Sequence, residues 1–239
     1  IKNSRLLQVV MLLTIYGACL TNIGLVITEN LKFAGVKMML LHYAQNSRAV
    51  RVAWLLEELN LEYDIKKYAI GDKELRESEY KKINPLGRVP VLEDSELVIS
   101  ESGAIIQYIL SKYGKNKFIP DIESSDFPYY LQWFHYAEGM IMPQMNTIVV
   151  ETILLPPEKR NEVNLARAMK LLSRMLDVIE KNMDNKTYLT NEFTAADMMT
   201  GHAVIMSREL GIDFSEKQNL LLYVDRLLSR PALQKAWNL

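Results

Sequence analysis

The chain has 239 residues, of which 28 are Lys or Arg and 29 are Asp or Glu, so its formal net charge is −1. This balance excludes the strong positive charge with which most nucleic-acid-binding domains attract phosphates. One cysteine, Cys19, and three histidines without zinc-ligand spacing also exclude an internal disulfide and a Cys-x-x-Cys redox pair. We therefore expect no metal and no nucleic-acid partner.

The stretch before Met38 differs in composition from the remainder. Residues 6–28 contain no charged side chain and follow two basic residues, which is compatible with a transmembrane segment or a signal peptide. Polar residues and two glycines inside this stretch weaken both interpretations and leave upstream translated sequence as a third. We predict that residues 1–37 are an apolar extension outside the fold. Membrane association is expected only if residues 6–28 are a genuine anchor.

Residues 38–115 show the periodicities of an α/β domain. Apolar residues recur at helical spacing over 49–59, and they alternate with polar residues over 63–68. The predicted order is βαβ and then ββα, with strands at 38–43, 63–68, 89–93 and 97–99 and helices at 49–59 and 102–113. A parallel crossover followed by an antiparallel hairpin predicts a four-stranded mixed sheet covered by helices.

A linker and an all-helical region follow. Residues 116–128 contain prolines, aspartates and serines without an apolar period, as expected of a linker. A long helix is predicted over 130–153. Further along the chain, Thr194 and Asp197 have the spacing of a capping box at the start of a buried helix. We therefore predict an all-α domain over residues 127–239.

Two features suited to a charged, peptide-like ligand lie close together in the sequence. Pro90 follows a Gly turn and precedes an apolar run, at the place where a strand would begin. We predict that the Val89–Pro90 peptide bond is cis and that the backbone of Val89 faces a ligand instead of pairing. Glu101 and Ser102 then stand at the start of a helix, where N–H groups and the helix dipole favour an anion.

Four segments of the chain are distinctive in their order and spacing: NSRAVRVAWLLEELNLEYD, KKINPLGRVPVLED, ISESGAIIQYI and FTAADMMTGHAV. In combination they resemble the cytosolic-type glutathione S-transferases of the fungal and bacterial branch. The first resembles that family's initial strand-to-helix segment, the next two its glutathione-binding core, and the last the capping box of its central C-terminal helix. The resemblance covers residues 39–237 and implies a thioredoxin-like domain joined to an all-helical domain.

The resemblance implies glutathione as cosubstrate and assigns residues to bind it. Val89 would offer its backbone N–H and C=O to the cysteinyl part of the tripeptide. Glu101 would bind the ammonium group of the γ-glutamyl end, and Ser102, with the helix N-terminus, its carboxylate. Arg88 stands where a polar or basic side chain meets the glycyl end.

The remaining requirement is a nucleophilic thiol, since the thiolate is the reactive species. A hydroxyl that donates a hydrogen bond to the thiolate lowers the pKa of the thiol. Given the resemblance, we predict Ser47, in the turn after the first strand, as this catalytic residue, with capping of the next helix as the alternative. Tyr43 at the end of the strand is its rival, with a place in the core as the alternative. Asn46 is a further donor in the same turn.

We therefore expect an enzyme that conjugates glutathione to hydrophobic, electrophilic small molecules, with peroxidase activity as a side reaction. Met140, Met142 and Met145 are suited to an adaptable apolar pocket, although core packing is the commoner role of such residues. The alternative is a non-catalytic binding or regulatory module. A cysteine-based reductase is disfavoured because Cys19 lies outside the predicted fold. The resemblance further implies a homodimer located in the cytoplasm.

Overall fold

The structure, a computed structural model, describes residues 38–239. The predicted extension at 1–37, with Cys19 and the candidate anchor over 6–28, lies outside the described residues. Within residues 38–239, no helix combines the length and the apolar composition that crossing a membrane requires.

Four strands form one mixed sheet. They are Met39–Ala44 (β1), Tyr63–Tyr68 (β2), Val91–Asp94 (β3) and Leu97–Ser100 (β4). Their order across the sheet is β2-β1-β3-β4. β1 is parallel to β2 and antiparallel to β3, which pairs with β4 as a hairpin. The predicted four-stranded mixed sheet is therefore confirmed.

The third strand begins at Val91 rather than at the predicted Val89. The peptide bond between Val89 and Pro90 is cis, which confirms the prediction. Pro90 has no N–H to donate to the strand ladder, and Val89 takes no part in the pairing of β3 with its neighbours. The main chain of Val89 therefore precedes the sheet instead of belonging to it.

Three helices accompany the sheet: Ala49–Glu58 (α1), Ser78–Ile83 (α2) and Ser102–Tyr113 (α3). α1 has apolar side chains at helical spacing and buries Trp54, Leu55 and Leu56 completely. α3 packs on α1 and buries Ile105 and Ile106. Because full burial of each such aliphatic side chain contributes about 1.5–3 kcal/mol, these helices are firmly held, and so are the turns that lead into them.

Within the described part, the second half of the chain contains six helices. They are Phe127–Tyr136 (α4), Met142–Val149 (α5), Glu162–Asn182 (α6), His202–Glu209 (α7), Gln218–Leu228 (α8) and Pro231–Trp237 (α9). The long helix predicted over 130–153 begins earlier, because Pro128 is accommodated in its first turn. Wide π-helical turns at Ala137–Ile141 and Val150–Leu154 interrupt it. Such turns often occur at functional sites.

The predicted capping residues, Thr194 and Asp197, are bonded to each other. The Asp197 carboxylate accepts hydrogen bonds from the Thr194 N–H at 2.8 Å and from the Thr194 hydroxyl at 3.3 Å. It also accepts from the Leu189 N–H at 3.0 Å and from the Tyr223 hydroxyl at 2.8 Å. Burial raises the pKa of Asp197 to about 6. Four donors on one buried carboxylate fix the start of the helical segment that carries His202.

One hydrophobic cluster runs through both halves of the molecule. It contains Leu41 of β1 and Trp54 of α1 together with Leu176 of α6 and Leu227 of α8. The C-terminal helix α9 packs against α1. Because the sheet and the helices share this core, the turns that follow β1 and β4 have fixed positions relative to the helical half.

Candidate active site

Ser47 lies in the turn between β1 and α1 and is partly buried. Its hydroxyl donates to the carbonyl of Ala44 at 2.7 Å and accepts from the backbone N–H of Ala49 at 3.1 Å. The side chain therefore connects the end of the strand to the first turn of the helix. A rotation about the Cβ–Oγ bond would direct its single proton to another acceptor without breaking the bond from Ala49.

Tyr43, the predicted rival, lies in a different environment. Its ring is buried in the core, and its hydroxyl donates to the carbonyl of Ala236 in α9 at 2.8 Å. Burial raises the pKa of Tyr43 to about 12. The hydroxyl thus joins β1 to α9, and Tyr43 is absent from the lining of the two cavities described below.

Asn46 adopts the left-handed conformation, with φ 57°, which asparagine tolerates better than most residues. Its Oδ1 accepts from Nε1 of Trp237 at 3.0 Å, and Gln45 Nε2 donates to the Trp237 carbonyl at 3.1 Å. The C-terminal helix therefore holds the turn that carries Ser47. Since the amide oxygen is used by Trp237, the amide N–H groups are the donors that Asn46 can offer to a ligand.

The backbone before Pro90 is held from one side. The carbonyl of Arg88 accepts from the Tyr80 hydroxyl and from Nδ2 of Asn84, both at 2.8 Å. Among the described residues, the N–H and C=O of Val89 have no intrachain hydrogen-bond partner. These two groups are therefore fixed in place and available to the main chain of a peptide-like ligand.

Glu101 precedes α3 with φ 71° and ψ 112°, a conformation that costs a residue other than glycine about 1–3 kcal/mol. Its side chain is exposed, whereas the following Ser102 is buried at the first position of the helix. Both residues line the same cavity. Backbone strain of this kind persists only where the surrounding structure enforces it, and it is found mainly at ligand-binding and catalytic sites.

An ion pair between a buried arginine and a partly exposed glutamate lies behind Ser102. Arg51 of α1 is fully buried, and its Nη1 donates to the carboxylate of Glu138 and to Ser102 Oγ, the latter at 3.3 Å. Arg48 donates from Nε to both carboxylate oxygens of Glu138 at 3.0 Å. Burial opposes the ionisation of Glu138, yet the charges and hydrogen bonds of the two arginines hold its pKa below the usual range. Glu138 thereby connects α1 to the helical half.

His202, the first residue of α7, completes this network. Its Nδ1 accepts from Nε of Arg51 at 3.1 Å, so the ring is neutral with its proton on Nε2. Burial, together with the charges of Arg51 and Arg48, lowers the pKa of His202 well below its usual value. Within the described part of the chain, neither His202 Nε2 nor Arg51 Nη2 has a hydrogen-bond partner.

Two adjoining cavities bring the five predicted site residues together. The first, of about 280 Å³, is lined by Arg88, Val89, Glu101 and Ser102 together with Arg48 and Glu138. The second, of about 440 Å³, is lined by Ser47, Arg88, Val89 and many apolar side chains, among them Met142, Met145 and Met206. Arg48, Arg88 and Val89 belong to both linings. A ligand bound in the first cavity can therefore reach Ser47 in the second.

Other features of the described chain lie outside this candidate site. A separate cavity of about 650 Å³ lies between residues 116–126 and 190–194, and it contains none of the predicted site residues. Met140, for which core packing was the favoured role and an apolar pocket the alternative, is exposed and lines neither of the two adjoining cavities. Among residues 38–239, no group of three His, Cys, Asp or Glu side chains is arranged to hold a metal ion.

Sequence reasoning missed four residues of this site: Arg48, Arg51, Glu138 and His202. One signal was present, because Arg51 falls on the same helical stripe as the buried Leu55. A charged residue on an apolar stripe is buried only when it has a partner. Glu138 and His202 have no comparable local signal, since their roles arise only when the two halves of the chain pack together.

Comparison with known families places the chain in a class. The family model described as "Glutathione S-transferase, N-terminal domain" matches residues 36–111, and "Glutathione S-transferase, C-terminal domain" matches residues 141–231. Together the two models span more than half of the chain. The chain therefore belongs to the glutathione S-transferase family, and it is of the cytosolic type found in fungi and bacteria.

Particular relatives agree with this assignment. Glutathione S-transferase 3 of Schizosaccharomyces pombe is 28% identical over 211 residues, which cover 83% of this chain and 86% of the relative. Glutathione S-transferase 1 of Saccharomyces cerevisiae is 29% identical over 199 residues, covering 74% and 81%. The glutathione transferase URE2P8 of Phanerochaete chrysosporium, solved with oxidized glutathione, has a TM-score of 0.75 at 27% identity and covers 84% of this chain and 94% of its own.

Proposed function

We propose that the protein conjugates the thiolate of glutathione to hydrophobic, electrophilic small molecules. The observation that supports this most is the continuity of the two cavities through Arg48, Arg88 and Val89. The first cavity carries charged and main-chain groups suited to a peptide, and the second has methionines and other apolar side chains. Glutathione bound along the first cavity presents its sulfur to Ser47 at the start of the second.

In this proposal each end of glutathione has its own partners. The exposed carboxylate of Glu101 binds the γ-glutamyl ammonium, while Ser102 and the N-terminus of α3 bind the neighbouring carboxylate. The N–H and C=O of Val89 pair with the cysteinyl main chain, in the manner of an added strand. Arg88, whose side chain is exposed, binds the glycyl carboxylate.

Thiol activation is assigned to Ser47. Its hydroxyl proton turns from the carbonyl of Ala44 to the glutathione sulfur, while the Ala49 N–H continues to donate to the hydroxyl oxygen. A hydrogen bond to the thiolate stabilises the charged form and lowers the pKa of the thiol. The thiolate sulfur then bonds to the electrophilic atom of a substrate held against the apolar wall of the second cavity. With an aryl halide, the carbon–halogen bond breaks and the halide leaves.

Reduction of hydroperoxides by the same thiolate is a second activity that we propose. The hydroperoxide O–O bond breaks, alcohol and water leave, and two glutathione molecules are oxidised to one disulfide. This disulfide is oxidized glutathione, the molecule with which the Phanerochaete chrysosporium relative was solved. Space for a second glutathione next to the sulfur is required, and the second cavity includes the polar Arg76 and Asn146 beside its apolar residues. Incubation with cumene hydroperoxide, followed by measurement of oxidized glutathione, tests this activity.

Substitution of Ser47 tests the principal proposal. A hydrogen bond to a charged group contributes about 1.5–3 kcal/mol, or roughly one to two pKa units. Ser47→Ala should therefore raise the pKa of bound glutathione and lower conjugation of a generic aryl halide at neutral pH about 10- to 100-fold, with little change in glutathione affinity. Tyr43→Phe is the control and should leave the rate nearly intact.

Other outcomes lead to different assignments. A silent Ser47→Ala together with an inactive Tyr43→Phe would assign activation to the tyrosine. Loss of activity only in Asn46→Ala would assign it to the amide that Trp237 orients. If the unmodified protein binds glutathione but conjugates no electrophile, the protein acts as a non-catalytic binding or regulatory module.

We also propose a homodimer that works in the cytoplasm, as the family resemblance implies. Large apolar side chains are exposed on the strand β4 and on the helix α4: Leu97, Val98, Tyr129 and Leu131. Pairing β4 of one subunit with α4 of the other would cover both. Sedimentation at micromolar concentration should show twice the mass of one chain, and a species of single-chain mass alone would contradict the dimer.

A further inference from the structure

The hydrogen-bond direction at Ser102 shows what its buried neighbour contributes. A guanidinium group is only a donor, so Ser102 Oγ accepts from Arg51 Nη1 at 3.3 Å. The hydroxyl proton of Ser102 is then left to donate elsewhere. Ser102 lines the first cavity, whereas Arg51 does not. Arg51 is thus one hydrogen bond behind a hydroxyl that faces the ligand site.

We propose that Arg51 is a positioning residue for the γ-glutamyl carboxylate of glutathione and that it acts through Ser102. The inference rests on the proposed function, because it presumes that Ser102 binds this carboxylate. Arg51 orients the hydroxyl so that its proton points into the cavity. It also polarises the O–H bond, since chains of hydrogen bonds strengthen one another in a medium of low dielectric constant.

The charges around Ser102 support this role. Arg48 and Arg51 both bind the single carboxylate of Glu138. One positive charge therefore remains uncompensated within this trio, and Arg51 Nη2 has no hydrogen-bond partner among the described residues. A buried cation without full compensation is costly. The carboxylate of a ligand at Ser102 brings the missing negative charge close to Arg51.

The arrangement also makes the helical half part of the glutathione site. Glu138 belongs to the wide turn Ala137–Ile141, and His202 begins α7. Both hold Arg51, Glu138 through Nη1 and His202 through Nε at 3.1 Å. Arg51, which bonds to Ser102, is therefore held in place by side chains from two further segments of the chain.

The test compares two ligands that differ only in the group at issue. These are glutathione and γ-aminobutyryl-cysteinyl-glycine, which lacks the γ-glutamyl carboxylate and keeps the ammonium. Dissociation constants are measured by titration calorimetry. Arg51→Met should weaken glutathione binding about 10-fold and binding of the analogue less than 2-fold. Arg51→Lys, which keeps the charge, should remain within about 3-fold of the parent for both ligands.

A double substitution and a control complete the design. Because Arg51 acts through Ser102, Arg51→Met should add little to the effect of Ser102→Ala. Arg230→Met removes another arginine that bridges the two halves, through Glu58, outside both cavities. It should change neither dissociation constant, although it also removes an ion pair that joins the two halves of the chain.

Each remaining outcome decides the matter. Equal weakening of both ligands by Arg51→Met, or effects that add to those of Ser102→Ala, would show a merely structural role and overturn the inference. If Arg51→Met does not fold, Arg51→Met/Glu138→Gln removes both partners of the Arg51–Glu138 ion pair and is measured against Glu138→Gln. If the parent itself fails to distinguish the two ligands, the assignment of Ser102 in the proposed function is wrong, and this inference falls with it.

Discussion

The two adjoining cavities differ in how their lining groups are held in place. In the first cavity, hydrogen bonds hold the groups that face a ligand. Arg51 donates to Ser102, and two side chains donate to the carbonyl of Arg88, which fixes the peptide bond before Val89. In the second, the wall consists largely of thioethers and aliphatic side chains. One of these, Leu154, is 68% exposed.

This difference corresponds to the two kinds of substrate in the proposed reaction. Hydrogen bonds and charges are directional, and a ligand that leaves them unpaired binds far more weakly. Apolar contacts are not directional, and the unbranched methionine side chain adapts to many shapes. The first cavity is therefore suited to one invariant cosubstrate, and the second to a range of electrophiles.

The largest expected effect concerns the directional cavity. Glu101→Gln keeps the shape of the side chain and removes the charge that we propose pairs with the γ-glutamyl ammonium. Loss of a charged hydrogen bond of about 1.5–3 kcal/mol should weaken glutathione binding about 10- to 100-fold. The measurement is the dissociation constant for glutathione, with the exposed Glu96→Gln as the control. An unchanged dissociation constant would mean that the ammonium is bound elsewhere.

The sequence predicted the fold well because the relevant signals are local. Helical spacing over 49–59, alternation over 63–68 and the proline after Val89 each depend on neighbouring residues, and the structure agrees with all three. The long helix over 130–153 was predicted less well. Its wide turns at Ala137–Ile141 and Val150–Leu154 leave no mark in the apolar periodicity, so they could not be predicted from it.

The candidate site likewise contains residues with a local signal in the sequence and residues without one. The predicted residues, such as Glu101 and Ser102, belong to short segments whose chemistry is visible in sequence. The network behind them joins Arg51 to Glu138 and His202, which are 87 and 151 residues further along the chain. Contacts at such separations depend on the shared core of the two halves. A single sequence gives no signal for that packing.

His202 bonds to Arg51 in the network behind the first cavity and also lines the second cavity. Its pKa is lowered by burial and by the nearby arginines, whereas the unfolded chain takes up a proton near pH 6.5. The contribution of His202 to stability is therefore complete above that pH and is lost as the pH falls below it.

His202 should accordingly remove up to about 1.4 kcal/mol from the free energy of unfolding per pH unit below pH 6.5, a tenfold change in the folding equilibrium. Asp197, whose pKa burial raises to about 6, acts in the opposite direction, so the expectation concerns the difference in slope between the parent and His202→Gln. His202→Gln keeps an acceptor for Arg51 and should reduce this slope. Urea denaturation between pH 5 and 8 measures it, with the exposed His135→Gln as the control. Identical slopes in parent and His202→Gln would mean that His202 is protonated within the folded protein.

The smallest effect is expected in the adaptable cavity. Met206 lines both the second cavity and a neighbouring one of about 510 Å³, which also includes Leu210 and Trp237. Met206→Ala should join the two spaces and favour electrophiles with longer apolar groups. Because one extra methylene in an apolar pocket contributes at most about 1–3 kcal/mol and the remaining wall can adapt, we expect only about a 3- to 10-fold gain in kcat/KM for a long-chain electrophile relative to a small aryl halide.

Met169→Ala, on the outer surface of α6, should leave this ratio unchanged. A 100-fold change in the ratio, or a rise in the KM for glutathione, would show that the second cavity is as exacting as the first, and the contrast between the two would then be wrong.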